Sequence, residues 1–582
     1  MPEKTFSLPW LSSTSLQRTL PLLLIWIAIG TVLRFIQLTG KPPWTDEFAT
    51  LVFSLGNSYK NVPLDQIISP ATLLEPLKIV PNAGLNDVFT NLINEDNHPP
   101  IYFLLAHLWQ KLLPQTGEYV SLWVARSLPA FLGVLSIPAI YFLSIISFRS
   151  RLVAHFAAAM MALSPYSIFL SQEARHYTLA ILFVIASLTC LIAALQKLIR
   201  GQKLPWWLVI VWLIINSLGF TTHYFFSLTL CAQAISLLTL FWPKIKQITL
   251  PVSLWRLGIV VAGTIITSLT WVLVFIPQDY GNNMVAWIQN DGFSFLSLIN
   301  PPFQLFATWL TMVYLLPVEA SSLIVVIASG LIMLFLFLFA LPLLIRGLKI
   351  KQKNPNAHIG KKILTSFIIA GIAIFLFISY FLGIDITRGT RYSFVYFPAV
   401  IVLFAASLSQ WWKAKELIPQ PYGSFLLKKF GIKNLQTRGK NAIKIIFISS
   451  LLSAVTVIIN LGYQKYYRPD LFVSLLKETS NLPVLIATTH ASLVQTGEMM
   501  GIAWELQQEP FSQPVNFLLA HQEERESLLA TKTLQQEMQK IPRPFDLWAV
   551  NFYAPKNIDN CVKDESKFPH IDGYGYEVYR CK

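Results

Sequence analysis

Runs of about 20 mostly apolar residues, the length that carries a helix across a bilayer core, recur about eleven times along this chain. They cover 20–39, 125–148, 151–170, 178–198, 204–222, 224–242, 256–276, 321–345, 363–383, 391–411 and 443–462. Short polar loops separate them, so the pattern predicts a bundle of spanning helices. Segments 101–113 and 303–317 are apolar but too short to span, and are expected to be helices that lie in the membrane interface or dip in from it. Beyond residue 462 the pattern changes. Runs such as Val484-Leu485-Ile486-Ala487 and Leu547-Trp548-Ala549-Val550 alternate with helical stretches near 490–506 and 522–540, which predicts a small α/β domain. The expected organisation is a membrane domain over 1–462, with its first external loop at 40–124, and a tail domain over 463–582. Loop 411–444 reads as a basic linker with an interfacial helix.

Composition agrees with a polytopic membrane protein: 54% of the 582 residues are hydrophobic and only 13% are charged. The net charge of +15 raises the question of nucleic acid, but the basic residues follow the loops, as topology requires. With the N-terminus inside, alternate loops carry Arg149 and Arg151; Lys197, Arg200 and Lys203; Lys244 and Lys246; Arg346 through Lys362; and Lys413 through Lys444. The opposite loops hold Asp46, Glu47, Glu173, Asp279, Asp291, Glu319 and Asp385. Making either short apolar segment a span would invert every later loop. The expectation is therefore a multi-pass inner-membrane protein with a cytoplasmic N-terminus and an extracytoplasmic tail. Arg34 near the outer end of the first segment suits a retained anchor better than a cleaved signal peptide. Cys561 and Cys581 in the tail are either a disulfide or two free thiols.

Three polar clusters then share the external face. The first is the acidic pair Asp46-Glu47 in Pro43-Trp44-Thr45-Asp46-Glu47, the second Asn97-His98-Pro99-Pro100, and the third Ser171-Gln172-Glu173-Ala174-Arg175-His176-Tyr177. Ionisable groups just outside a span commonly mark a site. Adjacent side chains diverge on a helix or a strand, so only one carboxylate of the pair can face a reacting atom. One base with one support suits glycosyl transfer from a lipid-linked phosphate sugar, where the phosphate leaves already ionised. A glycosidase needs two separated carboxyl groups. The alternative for the pair is a helix N-cap in a solvated loop. A phosphate donor also calls for arginine. Arg388, Arg391 and Tyr392, in Asp385-Ile386-Thr387-Arg388-Gly389-Thr390-Arg391-Tyr392, would share one face of a helical turn. Arg175 is a second candidate, with Glu173 and Tyr177 at i and i+4 spacing. Snorkelling at the interface and structural pairing are the plainer alternatives. His98 either shapes the chain before two prolines or binds phosphate or acceptor.

In order, Trp-Thr-Asp-Glu, Asn-His-Pro-Pro-Ile-Tyr-Phe-Leu-Leu, Ser-Gln-Glu-Ala-Arg-His-Tyr and Arg-Tyr-Ser-Phe-Val-Tyr-Phe-Pro resemble the bacterial glycosyltransferase family 39. This is the group of protein-mannosyltransferase-like and aminoarabinose-transferase-like enzymes. The resemblance covers mainly residues 20–200 and a patch near 388–398. It implies a GT-C fold, a polyprenyl-phosphate-sugar donor and transfer of a hexosyl or pentosyl group on the extracytoplasmic side. It also implies that Asp46 is the catalytic aspartate and Glu47 its neighbour, and that His98 stands where relatives have lysine. Arg175 and Tyr177 match an Arg-x-Tyr element. The tail beyond 463 resembles nothing comparable.

An Asp-Glu pair with one histidine is too sparse to demand a metal, so none is expected, although some GT-C enzymes use a divalent cation. Nucleotide sugars are disfavoured, because no strand leads into a Gly-rich phosphate loop. Expected partners are the lipid-linked donor, membrane lipids and a glycan, lipid or protein acceptor, with no nucleic acid. The rival reading is a flippase or transporter of lipid-linked glycans, but most mid-span positions are apolar and no convincing internal repeat is found.

Overall fold

The computed structural model describes residues 13–96, 98–115, 117–241, 254–275, 288–289, 295–350, 354–413, 439–522, 528–556, 558 and 560–582. The interfacial helix expected within 411–444 falls largely outside the described residues, as do Asn97, Lys244, Lys246, Asp279 and Asp291. The chain forms two compact units. One comprises Met1–Leu38, Pro129–Phe275 and Ile288–Tyr463, and the other Thr39–Leu128, Ile276–Trp287 and Gln464–Lys582.

The first unit is helical. Among the described residues, six helices are long and apolar enough to cross a membrane: Leu122–Phe148, Tyr177–Ile199, Leu254–Phe275, Leu323–Lys349, Pro355–Phe381 and Gly439–Ile458. The first of these begins in the second unit's part of the chain. A bent pair, Arg151–Leu163 and Pro165–Ser171, makes a seventh, and Leu20–Phe35, Trp206–Phe220, Phe226–Thr239 and Phe397–Trp412 are shorter apolar helices. These elements follow the apolar windows one for one. Leu254–Phe275 and Leu323–Lys349 are only 11% and 17% buried over their most apolar windows. Aliphatic faces left outward on this scale are stable against lipid, not water. The protein is a membrane protein.

The seventh span breaks by 55° where Pro165 follows Ser164, since proline cannot donate into the preceding turn. Ser164 caps the second half through the Ser167 amide. The carbonyls freed at the break are met by a buried arginine. Arg34 donates to Met161 O at 2.8 Å and Ala162 O at 3.2 Å, to Ser167 Oγ at 2.8 Å, to Ser171 Oγ at 3.2 Å and to Gly30 O at 3.1 Å. Glycine is needed at position 133, because a Cβ there would sit 3.0 Å from Arg34 Nε and 2.1 Å from Ser171 Oγ.

The second unit is mixed. Its six-stranded sheet has the order β1-β3-β2-β4-β6-β5, with β1 Ile67–Ile68, β2 Val484–His490, β3 Val515–His521, β4 Phe545–Val550, β5 Cys561–Lys563 and β6 Tyr576–Cys581. β3, β2 and β4 are parallel, and their apolar runs, Val484–Ala487, Phe517–Ala520 and Leu547–Val550, are what a sheet covered on both faces requires. Helices Leu493–Gln508 and Leu529–Met538 make the crossovers. The small α/β domain expected from the sequence is present, and one edge strand of its sheet, β1, comes from the first loop. Cys561 and Cys581 form a disulfide joining β5 to β6. Short segment 101–113 is the helix Ile101–Leu112, which buries Tyr102, Phe103, Ala106, His107 and Gln110 and leaves Leu108 and Leu112 51% and 73% exposed. The other short segment lies within Phe295–Thr311, which starts earlier than 303 and carries Pro301 and Pro302.

Candidate active site

In the mixed unit the acidic pair opens the helix Thr45–Ser54. Trp44, in extended conformation, is the N-cap, and Asp46 and Glu47 follow inside the first turn, where the helix dipole favours negative charge. Asp46 is therefore not the cap, which corrects the plainer alternative raised by the sequence. The two carboxylates have different surroundings. Glu47 is fully buried, and Arg126 grips it with paired bonds, Nε to Oε1 and Nη2 to Oε2, both 2.8 Å. Arg126 also donates to Lys41 O at 2.8 Å and Pro42 O at 3.4 Å. Lys465 Nζ stands 3.8 Å from Glu47 Oε2 and 5.7 Å from the centre of the Trp44 ring. Asp46, about 100° round the helix, is only half-buried. Glu47 is thus held between two cationic side chains, whereas Asp46 beside it is half-buried.

The far end of this helix is pinned to the helix Ile101–Leu112. Gln110 donates to Ser54 Oγ at 2.7 Å, and His107 Nδ1 lies 2.8 Å from Ser54 O. His98 precedes that helix. Its Nδ1 is 2.6 Å from Oδ1 of the buried Asp96, which also accepts from the His98 amide at 3.2 Å. Asp96 thereby sets the ring's orientation, leaving Nε2 as its other polar atom.

The remaining candidates lie in the helical unit. Glu173, Arg175 and Tyr177 are almost wholly buried, at 1%, 2% and 2% exposure. The expected helix face for Glu173 and Tyr177 does not form. The preceding helix ends at Ser171, Gln172 donates to Ile36 O at 3.2 Å, and the Arg175 amide turns back to Glu173 O at 2.7 Å, so helix resumes only at Tyr177. Nor do Arg388, Arg391 and Tyr392 share one helical turn. They occupy two 3-10 helices, Ile386–Arg388 and Thr390–Val395, broken at Gly389, where a Cβ would meet the Tyr392 ring at 2.5 Å. Arg388 is 37% exposed and lies 3.5 Å from buried Asp385. The Arg391 guanidinium lies 5.5 Å from the Tyr392 ring centre. Tyr166 donates to Arg391 O at 2.9 Å, tying this loop to the second half of the broken span. His223 then links the two motifs, its ring 4.5 Å from His176, 5.5 Å from Tyr177 and 6.3 Å from Tyr392.

No protein-family model and no curated protein matches this sequence. Solved structures do match in three dimensions. The chain is similar to the crystal structure of ArnT from Cupriavidus metallidurans bound to undecaprenyl phosphate, with 12% identity, a TM-score of 0.47, and 97% of this chain and 98% of that one covered. It is also similar to the archaeal oligosaccharyltransferase AglB from Archaeoglobus fulgidus in complex with an inhibitory peptide and a dolichol-phosphate. There the identity is 12%, the TM-score 0.47, and the coverage 93% of this chain and 70% of that one.

Several residues of these clusters were not singled out from the sequence. Arg126 carried a usable signal, a charge at the edge of an apolar segment. Asp96 and Asp385 stand two and three residues before their basic partners, spacing that a local search would notice. Lys465 and His223 carry no local signal. Among the described residues, no group of three or more His, Cys, Asp or Glu side chains could hold a metal ion.

Proposed function

We propose that this protein is a membrane glycosyltransferase that moves a sugar from a polyprenyl-phosphate carrier to an acceptor hydroxyl, with Asp46 as general base. The observation that carries the reading is the unequal acidic pair: Glu47 buried and doubly bonded to Arg126, Asp46 beside it half-buried. Asp46 takes the proton of the acceptor hydroxyl as its oxygen attacks the anomeric carbon. The bond from that carbon to the phosphate oxygen breaks, and the phosphate departs as an anion that needs no acid. Glu47 does not enter this exchange, because leaving the Arg126 charge unmatched inside the protein would be costly. Arg388, Arg391 and Arg175 are assigned to the lipid phosphate, and His98, Glu173, Tyr177 and Tyr392 to the substrate. The reaction is assigned to the extracytoplasmic face, supported by the loop charges and by the disulfide of the tail, which suits an oxidising compartment. The test is turnover of polyprenyl-phosphate hexoses and pentoses by wild type and Asp46→Asn. Loss of about 10²–10⁴-fold in kcat with donor binding kept supports the assignment, whereas equal turnover refutes it.

A further inference from the structure

The helix carrying Asp46 is held by the tail on both sides of that residue. On one side Thr45 packs against Gly497 of the helix Leu493–Gln508 so closely that a Cβ on Gly497 would lie 2.9 Å from Thr45 Cγ2 and 3.4 Å from Thr45 Cα. On the other side Lys465 brings its ammonium to 3.8 Å from Glu47, with both side chains no more than 3% exposed. One residue further on, the Phe48 ring meets the Trp504 ring edge to face at 6.4 Å. Residues 45, 47 and 48 are therefore each gripped by a residue from the last quarter of the chain, and Asp46 is the member of the turn left half-buried.

These contacts differ in kind. A glycine in mid-helix is costly in conformational entropy, and here it admits the neighbouring helix at a distance no side chain allows. A buried ammonium is expensive unless matched by opposite charge, and Lys465 is placed at the carboxylate adjoining the proposed base. A packing contact and a charge contact converge on one turn from two separate segments of the tail. We infer that the tail is a working part of the active site, with Lys465 and Gly497 acting as positioning residues that fix the direction of the Asp46 carboxylate. This rests on the reading of Asp46 as base.

The experiment uses the full chain in lipid nanodiscs and two readouts. Hydrogen exchange of residues 44–54 reports the helix without reference to any substrate. Steady-state turnover of the polyprenyl-phosphate sugar that wild type consumes reports the chemistry. Lys465→Met and Gly497→Val are expected to speed exchange in 44–54 while β2 and β4 stay protected. They should lower kcat about 10²-fold, the effect of misplacing a catalytic group by about 1 Å, with KM within about twofold. Lys465→Arg, which keeps the charge at Glu47, should recover much of the loss, whereas Gly497→Ala, whose Cβ already meets Thr45, should show a smaller version of the Gly497→Val defect. Wild-type kcat in Lys465→Met and Gly497→Val would overturn the inference, and so would a loss that tracks exposure of the whole sheet with no recovery in Lys465→Arg. Failure of the base assignment shows separately, as undiminished turnover in Asp46→Asn with the exchange result unaffected.

Discussion

Arg34 in the helical unit and Arg126 in the mixed unit are equally buried, at 0% exposure, yet they are matched by different chemistry. Arg34 is surrounded by carbonyls and hydroxyls at a broken helix, so its hydrogen bonds replace those the helix lost. Arg126 meets a carboxylate in paired geometry and carbonyls besides. The first arginine staples a backbone, and the second fixes a charge next to the proposed base. A buried arginine thus reports structure or chemistry according to what accepts its protons.

The sharpest way to break this comparison is to remove each guanidinium. Arg126→Met leaves Glu47 buried without its bidentate partner, and should destabilise the mixed unit by about 3–5 kcal/mol, seen as early loss of exchange protection in residues 44–54. The double variant Glu47→Leu with Arg126→Met should regain much of that stability without regaining turnover, which separates the structural share from the chemical one. Arg34→Met should cost less, about 1.5–3 kcal/mol, because helix ends at the break can recruit other donors. Its increased exchange should be confined to residues 151–171.

A smaller effect comes with acid. His490, at the end of β2 with Nε2 2.9 Å from Thr496 Oγ1, is pushed down to about 4 by burial and then by His521. A base depressed below its unfolded value near 6.5 contributes stability above pH 6.5 that is lost as pH falls through 4. Glu505 works the other way: burial, then Asp470 and Glu509, raise it to about 7, so its contribution is present below pH 4.5 and lost as pH rises through 7. Comparing wild type with His490→Gln cancels Glu505. Thermal unfolding from pH 6.5 to 4 should show the wild type losing on the order of 1–2 kcal/mol more than the variant. Smallest of all, Asp96→Asn should cost about 1 kcal/mol and raise KM for the donor through a less well oriented His98.

The apolar helices were legible because some twenty apolar residues have few other uses, and the tail strands because buried parallel strands carry apolar runs. The acidic pair stood out by position. What escaped was long-range or broke a local rule. Two residues, Ile67 and Ile68, carry no recognisable strand signal, yet they pair with β3 far along the chain. Glu47 and Arg126 are 79 residues apart, and nothing near Lys465 points to Glu47. The helix faces expected for 173–177 and 388–392 failed because Gln172 bonds elsewhere and Gly389 interrupts the turn; spacing arguments assume an unbroken helix.

The central claim is that Asp46 acts while Glu47 supports. The most direct measurement is donor binding and turnover by wild type and Asp46→Asn in lipid, across a panel of polyprenyl-phosphate sugars. The account predicts that both proteins bind the same donor and only the wild type transfers or releases its sugar at an appreciable rate. Undiminished turnover by Asp46→Asn, or no binding of any donor by either protein, would contradict it.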